Sequence, residues 1–261
     1  MNGIARASGI LFQVHLLRTF RTRRALIAAL LAAMPVGLAG VVAVVAPLEG
    51  GAPRELLLSI FWFFLVQTIV PLVALVMGSA VIAEEIEDRT ITYLFTRPIP
   101  RSAILFGRWA AVALPMLVLL VGAADLVVRL LSGAGKEALP EGFHGRMLVT
   151  VLLGGAVYSA VFAAAGALFK RPILVGLGYT FVFEGFLGNL PGANQKATIL
   201  FYLRSYLMAG EHEMAGELHE AIFAITPADP AAAVRTLLLV LAGALALGAW
   251  RFSKREYVLS A

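Results

Sequence analysis

Three groups of side chains in this 261-residue sequence have the types and spacing to do chemistry. The densest is Glu84-Glu85-Ile86-Glu87-Asp88-Arg89-Thr90, which continues through Tyr93 and Leu94 to Arg97-Pro98-Ile99-Pro100-Arg101. It is a charged island between two long apolar runs, and Ile91, Tyr93, Leu94 and Phe95 give it a short apolar stripe. Such a stripe on a short helix can seat in a groove of a partner protein; the plainer reading is a solvated loop with capping charges. The second group comprises polar side chains inside apolar runs: Gln67, Asp125 with Arg129, and Glu184. Such groups are costly in a membrane and mark either a translocation pathway or a neutralised pair. Asp125 and Arg129 stand i,i+4 and pair on one helix face, whereas Glu184 has no local partner. The third is Glu211-His212-Glu213 followed by Glu217, His219 and Glu220. His212 and His219 are about two helical turns apart and share a face. Imidazole with carboxylate suits a divalent transition metal. The order is not H-E-x-x-H, and a solvated helical face explains it as well, so no metal is assigned.

The elements that must carry these groups are set by composition. The chain is 60% hydrophobic and only 14% charged, with a mean hydropathy of +0.88, where soluble chains run about 45–50% apolar and about 25% charged. That places it in the polytopic membrane class. The net charge of +5 does not point to nucleic acid, because the basic residues flank apolar runs and form no continuous patch. There is no cysteine, hence no disulfide, thiol nucleophile or thiolate metal site. The apolar run nearest the N-terminus starts only near Ala25, which does not read as a cleavable signal peptide, and no lipidation motif is found.

A span needs about 20 mainly apolar residues, and six segments qualify: Ala25–Pro47, Ile60–Ala83, Ile104–Leu131, Met147–Phe169, Ile173–Leu190 and Ala231–Trp250. The fifth is the shortest and holds Glu184. Residues 4–24, with Ile10, Leu11, Val14 and Leu17 at helical spacing among basic residues, read as an amphipathic helix lying in the interface. Residues 191–230 form the longest connection and read as short helices packed on the outer face. With the N-terminus inside, 14 Lys and Arg fall on the cytoplasmic side and 7 outside, together the 21 of the chain. Both termini are then cytoplasmic in a multi-pass protein of the plasma (inner) membrane. The expected architecture is an all-α membrane protein, one domain over residues 1–261.

The island also carries a resemblance. Glu85-x-Glu87-x-x-Thr90-x-x-x-Leu94, then Arg97-Pro98-Ile99-x-Arg101 and Ile104-Leu105-x-Gly107-Arg108, resembles the loop of the transmembrane subunits of type-2 ABC exporters. That family's pattern has Gly where this chain has Arg89, Ser where it has Pro100, and Lys where it has Arg108. The resemblance implies a permease paired with a second copy or a paralogue among membrane lipids. It also implies a separate cytoplasmic ATPase docked on residues 84–101, with Thr90–Thr96 as a coupling helix. ATP and Mg would then belong to the partner, since this chain has no G-x-x-x-x-G-K-[ST] loop, and the chain would be no enzyme by itself. Two other classes stand beside that expectation: a polytopic scaffold or assembly protein without a transport cycle, and an intramembrane hydrolase using Glu184, His212 or His219. The transported substrate is not legible in the sequence.

Overall fold

The computed structural model describes residues 22–81, 101–135, 139–188, 190, 193–209 and 227–254. Among these the regular elements are helices, joined by one isolated bridge between Ala52 and Gly135. Helix α1 is Arg23–Val45, and α2 runs through Arg54–Ser59, Ile60–Ile69 and Val70–Gly78. α3 is Arg101–Ala134 and α4 is Phe143–Leu168. α5 joins Pro172–Gly178 to Tyr179–Leu187, α6 is Ile199–Leu207, and α7 is Pro230–Lys254.

Local chemistry sets these limits. Thr22 caps α1, its hydroxyl accepting from the Ala25 amide at 3.1 Å, which satisfies one of the donors a helix start leaves open. A short 3-10 turn, Ala46–Glu49, follows α1, and Gly50 and Gly51 then take φ of 89° and 91°. That left-handed backbone is open to glycine at little cost, and it reverses the chain into α2. α5 starts on Pro172 at its first turn, and α7 starts on Pro230 behind Asp229, whose carboxylate accepts from the Ala232 amide at 3.1 Å. Proline suits a first helical position because its missing N–H would have no intrahelical partner there.

Five of the helices are long and apolar enough to cross a membrane: Arg23–Leu48, Leu56–Gly78, Ile104–Ala134, Phe143–Leu168 and Pro230–Lys254. They match five of the six expected spans. The segment expected as the fifth span is an apolar helix, Pro172–Leu187, and it is shorter than the others. Its last nine residues, Tyr179–Leu187, are π-helical. Even at 1.5 Å per residue the whole helix reaches only about 24 Å, short of a hydrocarbon core of about 30 Å. The connection expected to hold short helices contains the 3-10 turn Ala193–Ala197 and α6. Residues 4–21 of the expected interfacial helix lie outside the described residues, while Arg23 and Arg24 already belong to α1.

α4 is the centre of the bundle: α7, α3, the last segment of α2, and α6 pack on it, and α1 lies on α3 and α2. Small residues make this approach possible. A Cβ on Gly78 would stand 2.8 Å from the Ser159 carbonyl oxygen, and one on Gly166 would stand 3.0 Å from the Ser79 carbonyl oxygen. Both neighbours are backbone, so α2 and α4 cross in direct main-chain contact, as small residues permit in membranes. Trp109 on α3 adds a polar tie to α4, its indole N–H donating to Ser159 Oγ at 3.1 Å.

The α2–α4 crossing gives a stability prediction. Gly166→Leu forces side-chain volume against a carbonyl that cannot rotate away, and overpacking of this kind costs about 1–3 kcal/mol. Gly243 on α7 has nothing within 4 Å of its missing Cβ, so Gly243→Leu leaves the melting temperature unchanged. Thermal unfolding in detergent, followed by size-exclusion fluorescence, should show a clear drop for the first variant alone.

Candidate functional site

Glu184 is where a polar side chain of the apolar helices does most structural work. It sits in the π-helical part of α5 and has no exposed surface. The π register closes hydrogen bonds from i to i+5, which stacks Tyr179 and Glu184 five residues apart. The Tyr179 hydroxyl donates to Glu184 Oε1 at 2.6 Å. The same carboxylate accepts the Ile199 amide at 2.9 Å through Oε1 and the Leu200 amide at 3.0 Å through Oε2. These are the first two amides of α6, and Thr198 takes the third, its Oγ1 accepting from Phe201 N at 3.2 Å. A carboxylate at this point satisfies both orphan donors and complements the positive end of the helix.

α6 is held from three other directions. Arg204 is 1% exposed and lies with its guanidinium 5.0 Å from the centroid of the Trp62 ring on α2, within cation–π range. Burial pushes its pKa down to about 10, which leaves it charged at neutral pH. Ser205 accepts from the Ala228 amide at 3.1 Å just ahead of α7, and Leu203 packs toward Gly154 of α4. One nine-residue helix thus touches α2, α4, α5 and the chain entering α7.

Asp125 belongs to a different cluster. Its Oδ2 accepts from Arg129 Nε at 2.7 Å, as the i,i+4 spacing predicts, and its Oδ1 lies 2.9 Å from His144 Nε2. The sequence reading missed His144. Spacing gives no signal for it: His144 opens α4 while Asp125 lies well before the end of α3 at Ala134, so only the packing of the two helices brings them together. Gln67 lies in the π-helical part of α2, half-buried, with its Oε1 buried and without a hydrogen-bond partner among the described residues. Gln67, Asp125 and Glu184 therefore occupy three distinct surroundings, and no hydrogen bond among the described residues joins them.

The docking residues Glu84, Glu85, Glu87, Asp88, Arg89, Thr90, Tyr93, Leu94, Arg97 and Pro98 lie outside the described residues, as do His212 and His219. Arg101 is the first residue of α3. The helices that the loop joins are described up to its edges. Arg108 Nη1 on α3 donates to the Val81 carbonyl at 3.4 Å, so the two helix ends below the loop are tied together. Among the described residues, no group of three His, Asp or Glu side chains could hold a metal ion.

The two acidic sites differ in what their removal exposes. Glu184→Ala strips two buried amides of their acceptor, at about 1–3 kcal/mol for each group left unsatisfied, and is expected to loosen α6. Asp125→Asn removes charge from a pair at the surface of the bundle, with side chains 30% and 68% exposed, and leaves the melting temperature unchanged. Hydrogen exchange across 199–207 in the two variants checks the contrast.

The family model described as ABC-2 family transporter protein matches residues 35–257. No curated protein matches the chain. The match begins inside α1 and runs beyond the end of α7, so it takes in the second half of α1 and the whole of the other four spanning helices among the described residues. With that match over most of its length and five helices able to cross a bilayer, the chain belongs to the ABC-2 family of transporter proteins and is a multi-pass membrane permease.

Proposed function

We propose that this chain is the membrane-spanning subunit of an ATP-driven exporter and that a separate cytoplasmic ATPase docks on residues 84–101. The observation that carries the reading is the family match over residues 35–257. A supporting one is charge distribution: Arg23, Arg108, Lys170, Arg171, Arg251 and Lys254 all flank the end of the bundle that holds the 82–100 connection. By the positive-inside rule that end faces the cytoplasm, with both termini.

The packing favours a mechanical route for coupling. Pressure on the Thr90–Thr96 segment acts on the ends of α2 and α3, which Arg108 joins through Val81. α2 is locked onto α4 by main-chain contact at Gly78 and Ser79, and at its far end carries Trp62, on which Arg204 of α6 rests. Glu184 then links α6 to α5. A shift of α2 as a rigid body is in this way passed to α6 and α5 on the opposite side of the membrane, a change of the hinge-and-shear type. Two copies, or this chain with a paralogue, would enclose the pathway, and ATP with its Mg would be held by the ATPase. Gln67, Asp125 and Glu184 are the candidates for groups near that pathway.

The test is affinity purification of the full chain in mild detergent, with and without Glu87→Arg, followed by identification and ATPase assay of what binds. An ATPase is expected with the parent and is expected to be lost from a Glu87→Arg variant of unchanged melting temperature. The same ATPase retained by both proteins would remove residues 84–101 as the docking site. No ATPase with either, under conditions that keep complexes together, would favour a scaffold or an intramembrane hydrolase.

A further inference from the structure

Between the first turns of α1, the end of α2 and the middle of α3 lies a cavity of about 460 Å³, within the range of about 300–1,000 Å³ common for small-molecule sites. Ala28 and Ala29 of α1, Met77 of α2, and Pro115 and Leu119 of α3 line it. The alanines are small where α1 faces α3, and that leaves the space. The lining is aliphatic apart from Thr22 and Arg23 at one end. The Thr22 hydroxyl already accepts from Ala25 N, so Arg23, which is exposed, is the group that could meet a charged ligand.

Position decides what that ligand is. The cavity lies in the opening turns of a spanning helix, and Leu26 and Leu30 beside it are 64% and 62% exposed. Leu26 itself lines the cavity, so the rim is continuous with the lipid-facing surface of α1. An occupant must be apolar along most of its length and anionic at the end near Arg23. The charge pattern agrees: Arg6, Arg18, Arg21, Arg23 and Arg24 occur before the first acidic residue of the chain, Glu49. Basic groups at the mouth of a cleft between spanning helices attract anionic headgroups.

We propose that this cleft binds one anionic phospholipid, with an acyl chain between α1, α2 and α3 and its phosphate at Arg23. The lipid is a bound companion that sets the spacing of α1 against α3, and the assignment does not depend on the transport reading.

The full chain would be purified, stripped of lipid, and exposed to equal amounts of phosphatidylglycerol and phosphatidylcholine, with retained lipid counted by native mass spectrometry. The parent is expected to prefer phosphatidylglycerol by about fivefold, the scale of one basic residue at an anionic surface. Arg23→Gln should erase the preference and Arg23→Lys should keep it. Ala29→Trp, at an exposed lining position, should lower retention of both lipids while the melting temperature in detergent stays unchanged. Inorganic phosphate should not displace the lipid, since the acyl chain supplies most of the contact. Equal retention of the two lipids by the parent, retention unaffected by Ala29→Trp, or displacement by inorganic phosphate would each overturn the proposal.

Discussion

Glu184 has no exposed surface, and its carboxylate accepts from two backbone amides and a phenol. The constraint behind this arrangement is general: away from water, each backbone donor needs a partner inside the protein. α6 starts in a buried position, with Ile199 and Leu200 at 4% and 0% exposure, so its first amides cannot turn to solvent. The sequence around Thr198 supplies one acceptor locally. The other two lone pairs come from α5, fifteen residues earlier in the chain. This requirement fixes where α5 must end and explains why an apolar helix tolerates a carboxylate at all.

The α5 helix carries the same constraint into its own backbone. Its second half is π-helical, and that register brings Tyr179 over Glu184. α2 has a second π-helical run, Ile60–Ile69, which carries Trp62 and Gln67. Such segments are rare beside the α-helix and occur often at functional sites. Here the two runs lie on the two helices that grip α6, one through Arg204 and one through Glu184. The last segment of α2 is α-helical by contrast and is pressed onto α4 where glycines let main chains meet. α2 thus joins a π-helical end that carries Trp62 to an α-helical end packed on α4.

Charge is sorted along the same axis. The end of the bundle at the 82–100 connection is basic, and the opposite end holds the Asp125–Arg129–His144 cluster and Arg204. Asp125 and Glu184 look alike in sequence, single carboxylates in apolar runs, but they face opposite problems. Asp125 is partly exposed and shares its charge with Arg129 and His144 at the surface of the bundle; Glu184 is fully enclosed and is held by backbone amides.

Much of the architecture was legible without coordinates because membrane spans are a matter of length and hydropathy, both local quantities. Five of the six segments became long helices, and the Asp125–Arg129 pair followed from i,i+4 spacing alone. The shortness of α5 was foreshadowed by its short apolar run and by Glu184, yet the reason for that carboxylate was not, since it lies in amides of another helix. Arg204 on Trp62, His144 on Asp125, the Gly78 and Gly166 crossings, and the cleft beside Arg23 are likewise products of packing. By itself the sequence determined an apolar, all-helical chain with basic flanks and a charged island between two spans. Only the tertiary structure decided which buried polar group satisfies which, because those partners are set by how helices meet and not by their spacing along the chain.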